Sequence, residues 1–387
     1  MKKGWQTKTL GEVCAFDKTQ GIHRGLPYVG LEHIESHTAR FIGSTDPQPV
    51  KSSTFRFSDK HVLYGRLRPY LNKALAPDFE GHCSTEIFPL RPSRDLSREY
   101  LLYWLLADET RERINATCTG ARMPRAQMNE VMGFDFPFPP LPEQQRIVAI
   151  LDEAFDSIAI AKANAEKNLQ NARALFESHL QSVFTDAWKT GELVTLADLA
   201  TDVTDGDHMP PPKAPSGVPF ITIGNIAKDT CTIDFTETFM VSREYYDRLK
   251  PNKKPKIGDI LYTVTGSFGI PVLVHEHREF CFQRHIGLVR PKPEVSSEWL
   301  YYLLMSPQIF TQANDGATGT AQRTVSLKLL RGFQVPRIPL ARQQEVAAKL
   351  NAIIEETERL KSICQRKLTA LDALKKSLLH QAFSGHL

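Results

Sequence analysis

Any chemistry in this chain has to come from a few polar clusters. VHEHREF (274–280) sets His275 and His277 on either side of an acidic residue. That i,i+2 spacing does not match the helical H-E-x-x-H pair that binds zinc, and the β-like runs on both sides read it as a polar hairpin tip. Cys118, in NATCTGARMPR, has no recognisable general base and reads as an ordinary buried or semi-buried thiol. Cys14, Cys83, Cys118, Cys231, Cys281 and Cys364 are scattered without a C-x-x-C pair, which fits neither structural zinc nor a disulfide framework. There is no G-x-x-x-x-G-K-[ST] phosphate cradle and no G-x-G-x-x-G turn. FPP (138–140) and MPPPK (209–213) lack the preceding Asn or Asp and the following aromatic of an amine-methylating site. The expectation is a chain that is no catalyst by itself, with no metal and no cofactor of its own. What remains is hydrogen-bond donor chemistry, in short stretches where Arg, Gln, His and Lys sit beside Gly or Pro.

The bulk properties agree with a non-catalytic, soluble reading. At 387 residues the chain is too long for one ordinary core and implies at least two domains. Hydrophobic residues at 41% and charged residues at 24% describe a globular protein. MKKGWQTKTL carries lysines without an apolar run behind them, so no signal peptide is expected, and no stretch of apolar residues is long enough to span a membrane. A cytoplasmic chain with reduced thiols is expected. The net charge of +4 permits nucleic-acid binding without arguing for it.

The elements that position the polar clusters are written twice. PLPEQQRIVAIL (140–151) returns as PLARQQEVAAKL (339–350), 199 positions later. In the same register EYLLYWLL (99–106) falls on EWLYYLLM (298–305), and Thr119-Gly120 on Thr318-Gly319. That register runs without a gap from about residue 83 to 184. Earlier the offset drifts: LPYVGLEHI (26–34) resembles VPFITIGNI (218–226) at 192, and VLYGRL (62–67) resembles ILYTVT (260–265) at 198. The chain is two copies of one plan, variable at its beginning and constant at its end.

In each copy, short β-like runs punctuated by Pro and Gly (LPYVGL, FITIGNI, DILYTVTG, PVLVHE) precede a helix-like apolar stretch. A Pro-rich phrase then opens a long Pro-free helical run, because proline suits a helix start and not its interior. The divisions are residues 1–142 and 189–341 for the two β-rich domains, and 143–188 and 342–387 for the two long helices. Read at 4-3 spacing, the first helix has the seam Ile147, Leu151, Ala154, Ile158, Ala161, Ala165, Asn168, Ala172, Leu175. The second has Val346, Leu350, Ile353, Thr357, Leu360, Cys364, Lys367, Leu371, Leu374. Small residues on one and large on the other read as a paired coiled coil. Residues 143–188 hold four Lys and Arg against seven Asp and Glu, net −3, and residues 342–387 hold eight against five, net +3, which favours pairing of the two with each other. The fold class is therefore α+β, two repeated β-rich domains each followed by a long helix.

Laid out this way, the chain resembles the specificity subunits of type I restriction-modification enzymes. The resemblance rests on two variable β-rich units, a Thr-Gly about twenty residues before each P-L-x-x-Q-Q phrase, and the long helix that phrase opens. It covers essentially the whole chain. One departure is Ala341-Arg342 where the family pattern prefers Pro-Glu, which puts the second helix start in question. The resemblance implies that each β-rich unit is a target recognition domain for one half of a split site in double-stranded DNA. It also implies an antiparallel helix pair setting the spacing between the halves: forty helical residues span roughly 60 Å. Two copies of a methylation subunit and two of a restriction/translocase subunit are the implied partners; S-adenosylmethionine and ATP would be bound on those partners only. At the helix starts, Glu143, Gln144, Gln145, Gln343 and Gln344 are read as partner contacts.

Within that frame the polar clusters become candidate DNA contacts, since Arg suits guanine and Gln adenine in the major groove, and Gly-rich turns suit phosphates. In the first unit they are Lys18, Gln20, His23 and Arg24 of DKTQGIHRG; Arg66, Arg68, Tyr70, Asn72 and Lys73 of GRLRPYLNK; and Arg122 and Arg125 of TGARMPR. In the second they are His208 and Lys213 of DGDHMPPPK, Ser267 of TGSFG, Gln283, Arg284 and His285 of FQRH, and Gln322, Arg323 and Thr324 of TGTAQRT. Two alternatives stay open on the residues alone: a duplicated non-DNA-binding scaffold with a coiled-coil stalk, and a degenerate fragment of a fused restriction-methyltransferase.

Overall fold

The computed structural model describes residues 4–120, 122–209, 211–320 and 322–387; residues 1–3 of the opening stretch, and Ala121, Pro210 and Ala321 of the motifs quoted above, lie outside the described residues. The chain closes into two compact units. One comprises Met1–Lys167 with Cys364–Leu387, the other Asn168–Ile363.

The first unit holds strands β1 (Gln6–Thr9), β2 (Cys14–Phe16), β3 (Gln20–Gly21), β4 (Tyr28–Val29), β5 (Thr54–Phe57), β6 (Val62–Gly65), β7 (Ala74–Leu75), β8 (Gly81–Cys83), β9 (Ile87–Pro92) and β10 (Asp135–Phe138). Its helices are α1 (Leu10–Val13), α2 (Arg98–Leu106), α3 (Asp108–Ala116), α4 (Met128–Met132) and the start of α5 (Leu141–Thr190). An antiparallel ribbon, β1 with β10, brings the two ends of the β-rich region together. Two sheets follow, in the orders β2-β9-β6-β7 and β3-β5-β8-β4. Strand β6 is buried along its length, and its period-2 alternation divides it between two cores. Val62 and Tyr64 join the core built on α2, whereas Leu63 joins Val29, Phe57 and Ile87 between the sheets.

The second unit repeats the plan. Its strands are β11 (Glu192–Thr195), β12 (Ala200–Asp205), β13 (Val218–Ile221), β14 (Ile226–Ala227), β15 (Thr232–Ile233), β16 (Phe239–Val241), β17 (Ile260–Thr263), β18 (Pro271–Leu273), β19 (Cys281–Phe282), β20 (Ile286–Pro291) and β21 (Gln334–Arg337). Its helices are α6 (Leu196–Leu199), α7 (Arg243–Arg248), α8 (Ser297–Met305), α9 (Pro307–Gly316), α10 (Leu327–Arg331) and the start of α11 (Leu340–Ser384). The ribbon β11·β21 and the sheet β12-β20-β17-β18 match β1·β10 and β2-β9-β6-β7. Ile260 and Tyr262 face the core built on α8, and Leu261 faces the other way. The hairpin β14·β15 and the helix α7 fall between β13 and β17, where the sequence offset drifts. His275 and His277 are exposed as a polar loop should be, but the hairpin reading is corrected. Strand β18 pairs with β17 and strand β19 with β13, so the loop crosses between two sheets.

The long helices α5 and α11 run for 50 and 45 residues and pack together. The start of α5 (Ile147, Leu151) and the end of α11 (Leu379, Ala382) share the first unit's core with Tyr100. The end of α5 (Leu180, Phe184) and the start of α11 (Val346, Ala347, Leu350) share the second unit's core with Trp299. Each unit thus takes one half of each helix, running antiparallel.

The seam differs from strict 4-3 spacing. Ile147, Leu151, Ile158, Ala165, Ala172, Val346, Leu350, Thr357 and Cys364 are buried, but Asn168 and Lys367 are exposed, Leu175 is 48% exposed and Leu374 47%. Leu169, Phe176, Leu368 and Lys375 take the inward positions instead. A straight α-helix turns once per 3.6 residues, so a heptad stripe drifts by about 20° per repeat. The inward set follows that drift, with Ile158, Leu169 and Leu180 eleven residues apart, and likewise Thr357, Leu368 and Leu379. The net charge bias between the helices is not what the ion pair joining them in the first unit uses. In the first unit Lys162 of α5 pairs with Asp372 of α11, against the net bias. The basic end of α11 is used on α3, through Lys376–Asp108 at 3.2 Å and His380–Glu109 at 2.5 Å.

Candidate nucleic-acid interface

In the first unit three chain segments meet beside the end of β6: the loop 66–73, the β8–β9 turn and the Thr-Gly loop. Thr119 and Arg125 exchange main-chain hydrogen bonds of 3.2 and 3.1 Å, closing the Thr-Gly loop on itself. Gly120 lies there at φ +92°, a conformation open to glycine and costly for other residues. The loop is stitched to its neighbour by Ala126 N donating to Arg66 O (2.9 Å) and Arg68 N to Pro124 O (2.8 Å), while Arg66 N donates to Glu86 O (2.9 Å) of the turn. On this frame the Glu86 carboxylate accepts from Arg125 Nε at 3.0 and 3.2 Å, and Arg125 Nη2 lies 3.0 Å from it. Arg66 Nε approaches the same carboxylate at 3.3 Å, its guanidinium over the Phe88 ring. The bond to Glu86 holds the Arg125 guanidinium above its ordinary pKa. Arg68, Tyr70 and Arg122 are exposed on the same loops.

The second unit builds the same frame from different side chains. Thr318 and Thr324 exchange main-chain hydrogen bonds of 3.0 and 2.8 Å, with Gly319 at φ +105°, where a Cβ would meet Gln322 O at 2.5 Å. Val325 N donates to Val264 O (2.8 Å), Gly266 N to Arg323 O (3.0 Å) and Val264 N to His285 O (2.9 Å). Thr324 and Thr265 face each other with hydroxyls 3.4 Å apart. Arg323 lies over Phe268 and donates from Nη1 to Asn314 Oδ1 at 2.8 Å. Arg284 N donates to Asp207 O, tying the Gln283–His285 turn to the loop that carries His208, itself 3.0 Å from Asp205. Ser267, Arg284 and Gln322 are exposed.

The remaining candidates sit elsewhere or are otherwise occupied. Lys18 before β3, Gln20 on it and Arg24 after it are exposed, and His23 lies 5.6 Å, ring to ring, from His82 on β8. Lys213 lies over Phe239. Asn72 is corrected outright: it is buried, its amide donating to Leu106 O at 3.0 Å. Lys73 donates to Leu31 O at 2.6 Å. Glu86 and Asn314, which orient the arginines, were not singled out by residue type; the 199-residue register, which sets Glu86 opposite His285, is the signal that finds the first. The Cys118 thiol, half-buried before the Thr-Gly loop, is pushed up in pKa by burial.

At the helix starts, Gln144 and Gln343 are corrected as partner contacts, because both are buried and used internally. Gln144 Oε1 accepts from Ser97 N (2.8 Å), and Nε2 donates to Asp95 O (3.0 Å) and Pro139 O (2.8 Å). Gln343 repeats this with Ser296 N and Ile338 O, both at 2.8 Å. These glutamines tie each long helix to the cap of α2 or α8. Glu143 pairs with Arg146, and Gln145 and Gln344 are exposed. At the Ala341-Arg342 departure the helix starts on the same main-chain bonds to Pro339 O that its twin makes to Pro140 O, with Arg342 and Glu345 reversing the order of Glu143 and Arg146.

Comparison with known proteins bears on this arrangement. A model of the type I restriction modification DNA specificity domain matches residues 2–171 and again 187–366. The chain is 29% identical over 171 residues to the type I restriction enzyme EcoDI specificity subunit of Escherichia coli, covering 43% of this chain and 36% of that one. It is 21% identical over 300 residues to the EcoBI specificity subunit of Escherichia coli, covering 71% and 63%. The match thus spans less than two thirds of the length of either relative. In fold, it superposes on a chain from a study of complex assembly and conformational transition of the type I R-M system, with TM-score 0.80, 22% identity, and 100% and 99% of the two chains covered. The HsdS subunit from Thermoanaerobacter tengcongensis superposes with TM-score 0.69, 22% identity, and coverage of 100% and 98%.

Proposed function

The chain belongs to the type I restriction-modification DNA specificity domain family, and from that we propose that it is the DNA-reading, non-catalytic subunit of a type I restriction-modification complex. One observation within the molecule carries the reading furthest. The same stitched loop frame is built twice with different side chains, as two readers of two different half-sequences require. Arg68, Tyr70 and Arg122 in the first unit, and Ser267, Arg284 and Gln322 in the second, are the exposed groups offered to base edges and phosphates on those frames. The long helices act as the spacer, α5 being about 75 Å long at 1.5 Å per residue. Two methylation subunits carrying S-adenosylmethionine, and two ATP-driven restriction subunits, assemble on the chain. The exposed Gln145 and Gln344 mark the helix-start surfaces at which they dock.

The test is co-expression with the cognate methylation subunit, followed by methylome sequencing of DNA exposed to the complex. The expected result is adenine methylation within a split, asymmetric sequence, by a complex of one copy of this chain and two methylation subunits. DNA affinity should fall steeply with salt as bound phosphates release counterions. A complex that forms but shows no DNA preference overturns the reading, as does a chain indifferent to the partner.

A further inference from the structure

We propose that Glu86, Arg66 and Arg125 act as one base-reading group of the first unit, in which Glu86 is the positioning residue that aims Arg125 at a guanine. The inference rests on the DNA-reading function proposed above and names one specificity determinant within it.

The geometry is specific. Glu86 takes the side edge of the Arg125 guanidinium, through Nε and Nη2. That leaves the Nη1–Nη2 end free for a second bidentate contact apart from a long 3.4 Å contact of Nη1 with Met123 O, and the Arg125 side chain is 35% exposed. An arginine held side-on by a carboxylate has lost most of its rotamer freedom before it meets a ligand, and its planar fork matches guanine O6 and N7. Arg66 supplies the second positive charge on the carboxylate, so the group keeps a net charge of +1 toward an electronegative groove edge. Its own Nε is buried and makes no hydrogen bond of good geometry. It therefore balances charge while Arg125 reads.

The comparison between the two units separates this role from a structural one. The main-chain stitching is the same in both, so the frame holds without the ionic group. At the corresponding points the second unit has Val264, His285 and Thr324 in place of Arg66, Glu86 and Arg125. A group dispensable to the frame, and exchanged for other chemistry where another sequence is read, behaves as a specificity determinant.

The experiment uses the complex with its methylation subunit and a library randomised at each position of the site. For Glu86→Gln and for Arg125→Lys, which keeps the charge and loses the fork, discrimination at a single G·C position of the first half-site should fall about ten-fold or more. The second half-site should be unaffected, and Glu86→Asp should restore part of the loss. Thermal melting of each variant reports the folded fraction. The proposal is overturned if the first half-site contains no G·C pair, or if both variants leave discrimination intact at every position. It is equally overturned if they weaken every position alike in step with lost folding, which marks a structural role. A wild-type complex with no split site would instead bring down the DNA-reading function itself.

Discussion

Gln144 is fully buried, and removing its side-chain amide would leave Ser97 N and the carbonyls of Asp95 and Pro139 without these partners, the Pro139 bond being the buried one of the three. A buried group left unpaired costs on the order of 1–3 kcal/mol, so Gln144→Ala should destabilise by that amount, and Gln343→Ala by a similar one. Gln145→Ala, at an exposed position, should stay within about 0.5 kcal/mol. Urea unfolding of the three variants checks this, and equal midpoints would remove the staple from the account. The repeated Gln-Gln pair is plain in the sequence, but which of two adjacent glutamines turns inward depends on the helix phase at its first turn. Residue type alone could not decide it. The same holds at the loops: Arg66 and Arg125 announce themselves as donors, whereas Glu86, an acid that DNA phosphates would repel, does not.

The long helices were legible as elements because proline marks their starts and no proline interrupts them. Their phase was legible only over the first few turns. Near Ile147 and Val346 the 4-3 pattern and the true 3.6 period coincide, and they separate by about 60° after three repeats. Leu175→Ala and Leu374→Ala should therefore change stability by less than about 0.5 kcal/mol. Leu151→Ala and Leu350→Ala, fully buried, should each cost about 2–5 kcal/mol. Equal costs at the two pairs, measured by denaturant unfolding, would restore the heptad seam. The sheets were less legible. Short strands broken by Pro and Gly gave β content, but pairings such as β4 with β8, parallel and 50 or more residues apart, leave no local trace.

At the scale of the molecule, duplication makes acid act on both units through corresponding groups. Glu12 is held below the usual carboxylate range by the backbone N–H and then the hydroxyl of Thr9, and Asp198 by the hydroxyl and then the backbone N–H of Thr195. A carboxylate whose folded pKa is depressed contributes stability that is present above its unfolded value, near 4, and lost as pH falls through the folded one. The urea midpoint should decline as pH is lowered from about 5 to 3, and a Glu12→Gln, Asp198→Asn double variant, which removes both titrating carboxylates, should flatten that slope. A slope unchanged in the double variant would place the acid sensitivity elsewhere. The division of the long helices has a consequence for how the chain is made. The first unit is completed by Leu379 and Ala382, which leave the ribosome after every residue of the second unit. Domains commonly close in the order they are synthesised. Here the contiguous Asn168–Ile363 unit has all its core residues available first, while the N-terminal body lacks, throughout that synthesis, the Leu379 and Ala382 that share its core with Tyr100 and Trp104. Nascent-chain proteolysis should find the earlier-made half the later one to become resistant.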